Sequence, residues 1–235
     1  IRLYAEDPAN GFLPSSGPLN VWSIPEFNNI RVDNGVTSGD IVTPFYDPLL
    51  AKIIGHGNTR LDALSNLIHA LENTSIFGVK NNRNFLIDVL KQKKFRTGLV
   101  TTSFLEENYP DGFKDQLPSP ADYSLVAALI YKQKLYKYLQ DAPNVQKEII
   151  GWSNSGNVKS TFFIKHAEEL QKLHVTYSEQ NTFLVGLDDD HIEVLLKTNE
   201  IRVNGCLINL ISFNSNLNMH QIIMSETDFC FEEID

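Results

Sequence analysis

Residues Leu125 to Tyr131, LVAALIY, are apolar without interruption, yet they lie inside what otherwise reads as one helix over 120–140. Ser119 is a good N-cap, Pro120 suits the first helical position, and Asp122 falls in the first turn. A helix resting on a core shows one apolar stripe, whereas a helix apolar all round must be buried all round. Polar residues accumulate only past Lys132, at Lys134, Lys137 and Gln140. Something therefore has to enclose the first half of this helix. After Gly151 and Trp152 the chain offers short strand-like runs: TFFI, KLHVTY, TFLVGL, IEVLLK, EIRV, CLINLISF and QIIM. Asn204-Gly205 between two of them is a strong hairpin signal of type I′, and LDDDH, Leu187 to His191, reads as another turn. The expected arrangement is an antiparallel β-barrel over 150–235 curled around the helix, since closure leaves no exposed strand edge.

Before Asp115 the pattern differs, mixing strands and helices into an α+β arrangement. Leu49 to Ile54 is an apolar run interrupted by Lys52 and closed by Gly55-His56-Gly57. Thr59 can cap the next helix with Asp62 as its capping-box partner, and Leu64, Leu67, Ile68 and Leu71 follow at helical spacing. A second helix is expected from about Asn82 to Lys93 on Phe85, Leu86, Val89 and Leu90, with Gly78 read as a helix stop between the two. The stretch DQLPSP at 115–120 joins a linker to a helix start, which divides the chain into 1–114 and 115–235.

Charge narrows the function classes. The net charge of -9, from 29 acidic and 20 basic residues, argues against nucleic acid and against anionic membranes as partners. No apolar segment approaches the roughly 18 residues that span a bilayer. Two cysteines, Cys206 and Cys230, make neither a disulfide framework nor a zinc site, in keeping with a reducing compartment. Cys206 reads as a buried, inert thiol. No phosphate loop, nucleophile elbow or H-E-x-x-H occurs. Asp188, Asp189, Asp190 and His191 lack the alternate spacing of a calcium loop and read as a solvated hairpin tip, and Glu232 and Glu233 as a solvated tail. On spacing alone, Arg31 in NNIRVDNGV is a strand arginine in a surface ion pair.

A series of words in fixed order changes the reading of Arg31. RLYAEDPANGFLPSSGPL, IRVDNGV, FYDPLLAKIIGHGNTRLDAL, FGVKNN, NFLIDVL and TGLVTTSFLEE together resemble the carboxy-terminal part of biotin carboxylase domains of biotin-dependent acyl-CoA carboxylases, over residues 1 to 113. The resemblance implies an ATP-grasp ligase domain whose nucleotide, magnesium and bicarbonate ligands precede this stretch. It also implies that Arg31 is catalytic and cofactor-binding, reaching the ureido oxygen of biotin. Carboxylation of N1′ requires an enolate to be stabilised, and a forked, permanently charged guanidinium does this without titrating. Lys52, Tyr46 and Asp47 read as scaffold, the last two hydrogen-bonded in the fold.

Past residue 115 the layout of one apolar helix, then GW and a row of strands, resembles the BT domain that joins biotin carboxylase to the biotin carrier and docks the α subunit on the carboxyltransferase β subunit. Gln140 to Ile150 is then a candidate β-subunit contact, with Pro143, Asn144, Val145 and the aromatic Trp152 as its anchors. No biotinyl-lysine motif is present, because Met219 and Met224 adjoin no lysine, so the carrier domain is expected as a partner outside this chain. The resemblance implies a fragment of a ligase α subunit, inactive by itself, in bacterial cytoplasm or the mitochondrial matrix. A pure docking module, or a urea or pyruvate carboxylase relative, is the alternative. The opening words resemble methylcrotonyl-CoA carboxylase α subunits, and FLEENYPDGFK, next to the docking part, resembles the propionyl-CoA type; the second is preferred.

Overall fold

The computed structural model describes residues 1–141, 158–178, 181–187, 190–225 and 227–234. They divide into two compact units, one of Ile1–Gln116 with Ser225–Asp228, the other of Leu117–Met224 with Phe229–Asp235.

In the first unit, strands Arg2–Tyr4, Leu49–Gly55 and Ile30–Asn34 form an antiparallel sheet in that order. Alternation sends Leu3, Ile53 and Val32 to one face, where they join Leu64 and Leu71 of the helix Arg60–Glu72 in the core. That helix starts on the expected capping box: Thr59 accepts from the Asp62 amide, and Asp62 accepts from the Thr59 amide. Gly78 is not a helix stop. The helix ends at Glu72, and the chain continues into a strand, Ser75–Phe77, paired with Val21–Ser23. Gly78 adopts φ of 114° beside Pro18, and a Cβ there would stand 2.0 Å from the Pro18 carbonyl oxygen. The next helix, Arg83–Lys91, buries Phe85, Ile87, Val89 and Leu90, with a separate short helix at Lys93–Thr97.

In the second unit the long helix runs Pro120–Asp141. Ser119 and Asp122 close its start: the Ser119 amide donates to the Asp122 carboxylate at 2.7 Å, and the Asp122 amide reaches Ser119 Oγ at 3.4 Å. Leu125, Val126, Ala127, Ala128 and Ile130 are all at most 1% exposed, so the helix is buried around its circumference. A nine-stranded sheet encloses it. Its order begins at Cys206–Leu207, steps back strand by strand to Lys159–His166, then passes through Asp228–Ile234 and Met219–Met224 to Leu210–Asn216. The helix touches strands from Asp190–Lys197 across to Met219–Met224, which a flat sheet could not achieve. Inward residues recur at period two, as in Phe183, Val185 and Leu187 or Ile192, Val194 and Leu196. Asn204 and Gly205 both take positive φ, 48° and 77°, as a type I′ turn requires. Two expectations fail here. Cys206 is exposed, because it follows that turn in a two-residue strand at the end of the sheet. Glu232 and Glu233 are not a solvated tail but lie in the strand Asp228–Ile234, with Glu233 ion-paired to Lys134 at 2.6 Å.

Candidate functional site

Strand Ile30–Asn34 lies at one side of the three-stranded sheet. Ile30 and Val32 pack inward, so the residues between and after them, Arg31 and Asp33, must point to the opposite, solvent-facing side. Arg31 donates from Nε to Asp33 Oδ1 at 2.8 Å and from Nη2 to Asp33 Oδ2 at 2.9 Å, a bidentate fork. The hydrogen bonds from Arg31 hold the Asp33 carboxyl below its usual range, with the charges of Arg31 and Lys52 adding to the effect. Asp33 in turn keeps the guanidinium cationic at any working pH.

Register completes the surface. Asp33 stands opposite Lys52, and Lys52 opposite Arg2, so acid and bases form a row across the three strands. Ile54, opposite Arg31, is 44% exposed on the same face. The face therefore offers three cations, one carboxylate and an apolar spot. The fork uses two of the five guanidinium N–H groups, and the other three have no partner among the described residues. The side chain of Arg31 is 73% exposed, so these donors are open to a ligand arriving from solvent. Such a surface can orient a neutral polar group and stabilise negative charge as it develops on an oxygen.

Lys52 stands on the open face, and the break it makes in an apolar strand was the available signal for that position. Asp47 accepts from the Leu49 amide at 2.9 Å. Tyr46 departs from expectation: it is 85% exposed and makes no hydrogen bond among the described residues. Pro143, Asn144, Val145 and Trp152 lie outside the described residues, as do Asp188 and Asp189. Among the described residues no group of three or more His, Cys, Asp or Glu is arranged to hold a metal ion. No helix among them is long and apolar enough to cross a membrane.

Residues 1–107, which hold this sheet and its helices, match the family described as biotin carboxylase C-terminal domain. The relatives include carboxylase α chains. The mitochondrial propionyl-CoA carboxylase alpha chain of Caenorhabditis elegans is 42% identical over 129 residues, covering 54% of this chain and 18% of that one. The mitochondrial methylcrotonoyl-CoA carboxylase subunit alpha of Glycine max is 28% identical over 233 residues, covering 87% of this chain and 32% of that one. Among solved structures, Rhizobium etli pyruvate carboxylase with the allosteric activator acetyl coenzyme A matches at 32% identity with a TM-score of 0.50, over 55% of this chain and 13% of that one. The chain spans about a fifth of the length of the propionyl-CoA carboxylase relative, 18%.

Proposed function

We propose that this chain serves as part of the α subunit of a biotin-dependent acyl-CoA carboxylase, with Arg31 acting on biotin and residues 115–235 forming the BT domain that docks on the carboxyltransferase β subunit. In the complete enzyme, ATP, magnesium and bicarbonate are bound by residues outside this stretch, and biotin arrives on its carrier domain. Arg31 donates to the ureido oxygen while N1′ is carboxylated, and Asp33 fixes the guanidinium in a fork. The β subunit then passes the carboxylate to an acyl-CoA. The observation that carries this reading is the open fork of Arg31 on a domain matching the biotin carboxylase family.

The curled sheet around the long helix supports the second half as the docking barrel. It also favours an acyl-CoA carboxylase over a pyruvate carboxylase relative. Similarity to an acyl-CoA carboxylase α subunit extends over 87% of the chain, through the first half and into the second. The higher identity to a propionyl-CoA carboxylase α chain, 42%, supports the propionyl type, and the mitochondrial names of these relatives support the matrix as its compartment.

The test uses the purified chain in two assays. With ATP, bicarbonate and free biotin it yields no ADP above background, and with a propionyl-CoA carboxylase β subunit it co-purifies. Replacing Pro143 to Val145 by Gly and Ser abolishes that co-purification. Carboxylation by the chain alone, or failure to bind the β subunit, contradicts the proposal.

A further inference from the structure

The second unit has a cleft of about 430 Å³ beside the exposed half of the long helix, and nothing in the proposed carboxylase role employs it. Gln133, Lys134 and Lys137 come to it from the helix, and Ser215, His220 and Glu233 from the sheet. Lys134 binds Glu233 Oε1 at 2.6 Å, so one cation and the one carboxylate of the cleft offset each other. Lys137, one turn further on, has no ion-pair partner among the described residues, which leaves the cleft with a net positive charge.

His220 is the unusual member. It is 3% exposed, its ring stacks on Phe213 at 6.0 Å, and its Nδ1 lies 3.0 Å from Ser215 Oγ. Its Nε2 has no hydrogen-bond partner among the described residues, because Glu233 Oε2 is 3.6 Å away, too far for one. A buried ring nitrogen left bare costs about 1–3 kcal/mol. Such a group in the wall of a polar cleft marks a place for something else to bind.

The chemistry of that occupant follows from its neighbours. Lys137 calls for bare, negatively charged oxygens. The adjacent edge of Glu233 calls for an O–H donor and repels a plain carboxylate or sulfate. His220 Nε2 is satisfied by a bare oxygen in one tautomer and by an O–H in the other. Two small species carry both features at neutral pH, hydrogen phosphate and bicarbonate. We propose that the cleft binds a small oxyanion that retains one O–H, with its bare oxygens on Lys137 and its O–H against the His220–Glu233 pair.

Imidazole nitrogen NMR of the whole chain, titrated separately with sodium phosphate and with sodium bicarbonate at constant ionic strength, tests this directly and tells the two anions apart. The expected result is a saturable shift of the His220 Nε2 resonance with one or both of them, and none with sulfate or with glycerol 3-phosphate at a pH where the ester is a dianion. The exposed substitution Lys137→Ala leaves the fold intact and weakens binding of the responding anion about tenfold by calorimetry. Absence of a saturable shift with both anions, an equal response to sulfate or to the ester, or unchanged affinity in the Lys137→Ala protein overturns the proposal.

Discussion

Arg83 donates through Nε to the carbonyl oxygen of Leu71 at 2.7 Å, closing the end of the helix Arg60–Glu72 from within the core. Its Nη2 reaches the Glu72 carbonyl at 2.9 Å, and Nη1 the Asp228 carboxylate at 3.5 Å. With its side chain 1% exposed, this guanidinium holds helix-terminal carbonyls that water cannot reach. Substituting Arg83→Met fills similar space but leaves those carbonyls and a carboxylate short of donors. The expected loss is about 3 kcal/mol by chemical denaturation. A loss too small to measure shows that water replaces the guanidinium.

Gly78 and Gly112 both have positive φ, 114° and 76°, but only Gly78 is crowded. Gly112→Ala meets nothing within 4 Å and costs about 1 kcal/mol from backbone conformation. Gly78→Ala drives a methyl into the Pro18 carbonyl and costs about 4 kcal/mol. Comparing the two midpoints in urea checks the difference, which vanishes if the chain around Pro18 relaxes.

Tyr123 is 2% exposed, packs edge-on against Phe231 at 5.2 Å, and its hydroxyl finds no hydrogen-bond partner among the described residues. Tyr123→Phe should therefore stabilise the protein by about 1 kcal/mol near neutral pH. Burial pushes the phenol pKa up to about 12 from 10.0. Since the folded value exceeds the unfolded one, the wild type keeps this contribution below pH 10 and loses it as pH rises towards 12. The advantage of the Phe variant then widens across that interval, as paired melts at several pH values will read.

Much of this fold was legible because its signals are local. The Thr59–Asp62 box, the Ser119–Asp122 helix start and the Asn204-Gly205 turn each specify backbone geometry within a few residues, and all three form as expected. The all-round apolar segment at 125–131 foretold its enclosure for the same reason. What escaped notice depends on distant partners. Ser75–Phe77 is too short to show a period and becomes a strand only against Val21–Ser23. Glu233 looks like a tail residue until its strand pairs with Lys159–His166, remote in sequence. Arg83 has no apolar character to announce its burial, which arises from Leu71, Glu72 and Asp228 together. At the candidate site, the resemblance singled out Arg31, while the row of Arg2, Lys52 and Asp33 beside it needed the register of three strands.

Because Arg31 is 73% exposed and off the core face, Arg31→Ala should leave folding unchanged, so its effect on chemistry can be read cleanly. The decisive measurement is biotin-dependent ADP formation by the α subunit that contains this segment, with and without Arg31→Ala. The account predicts that kcat falls about a hundredfold while ATP binding and melting temperature stay as in the wild type. A variant that turns over biotin at the wild-type rate would contradict it and return Arg31 to the role of an ordinary surface ion pair.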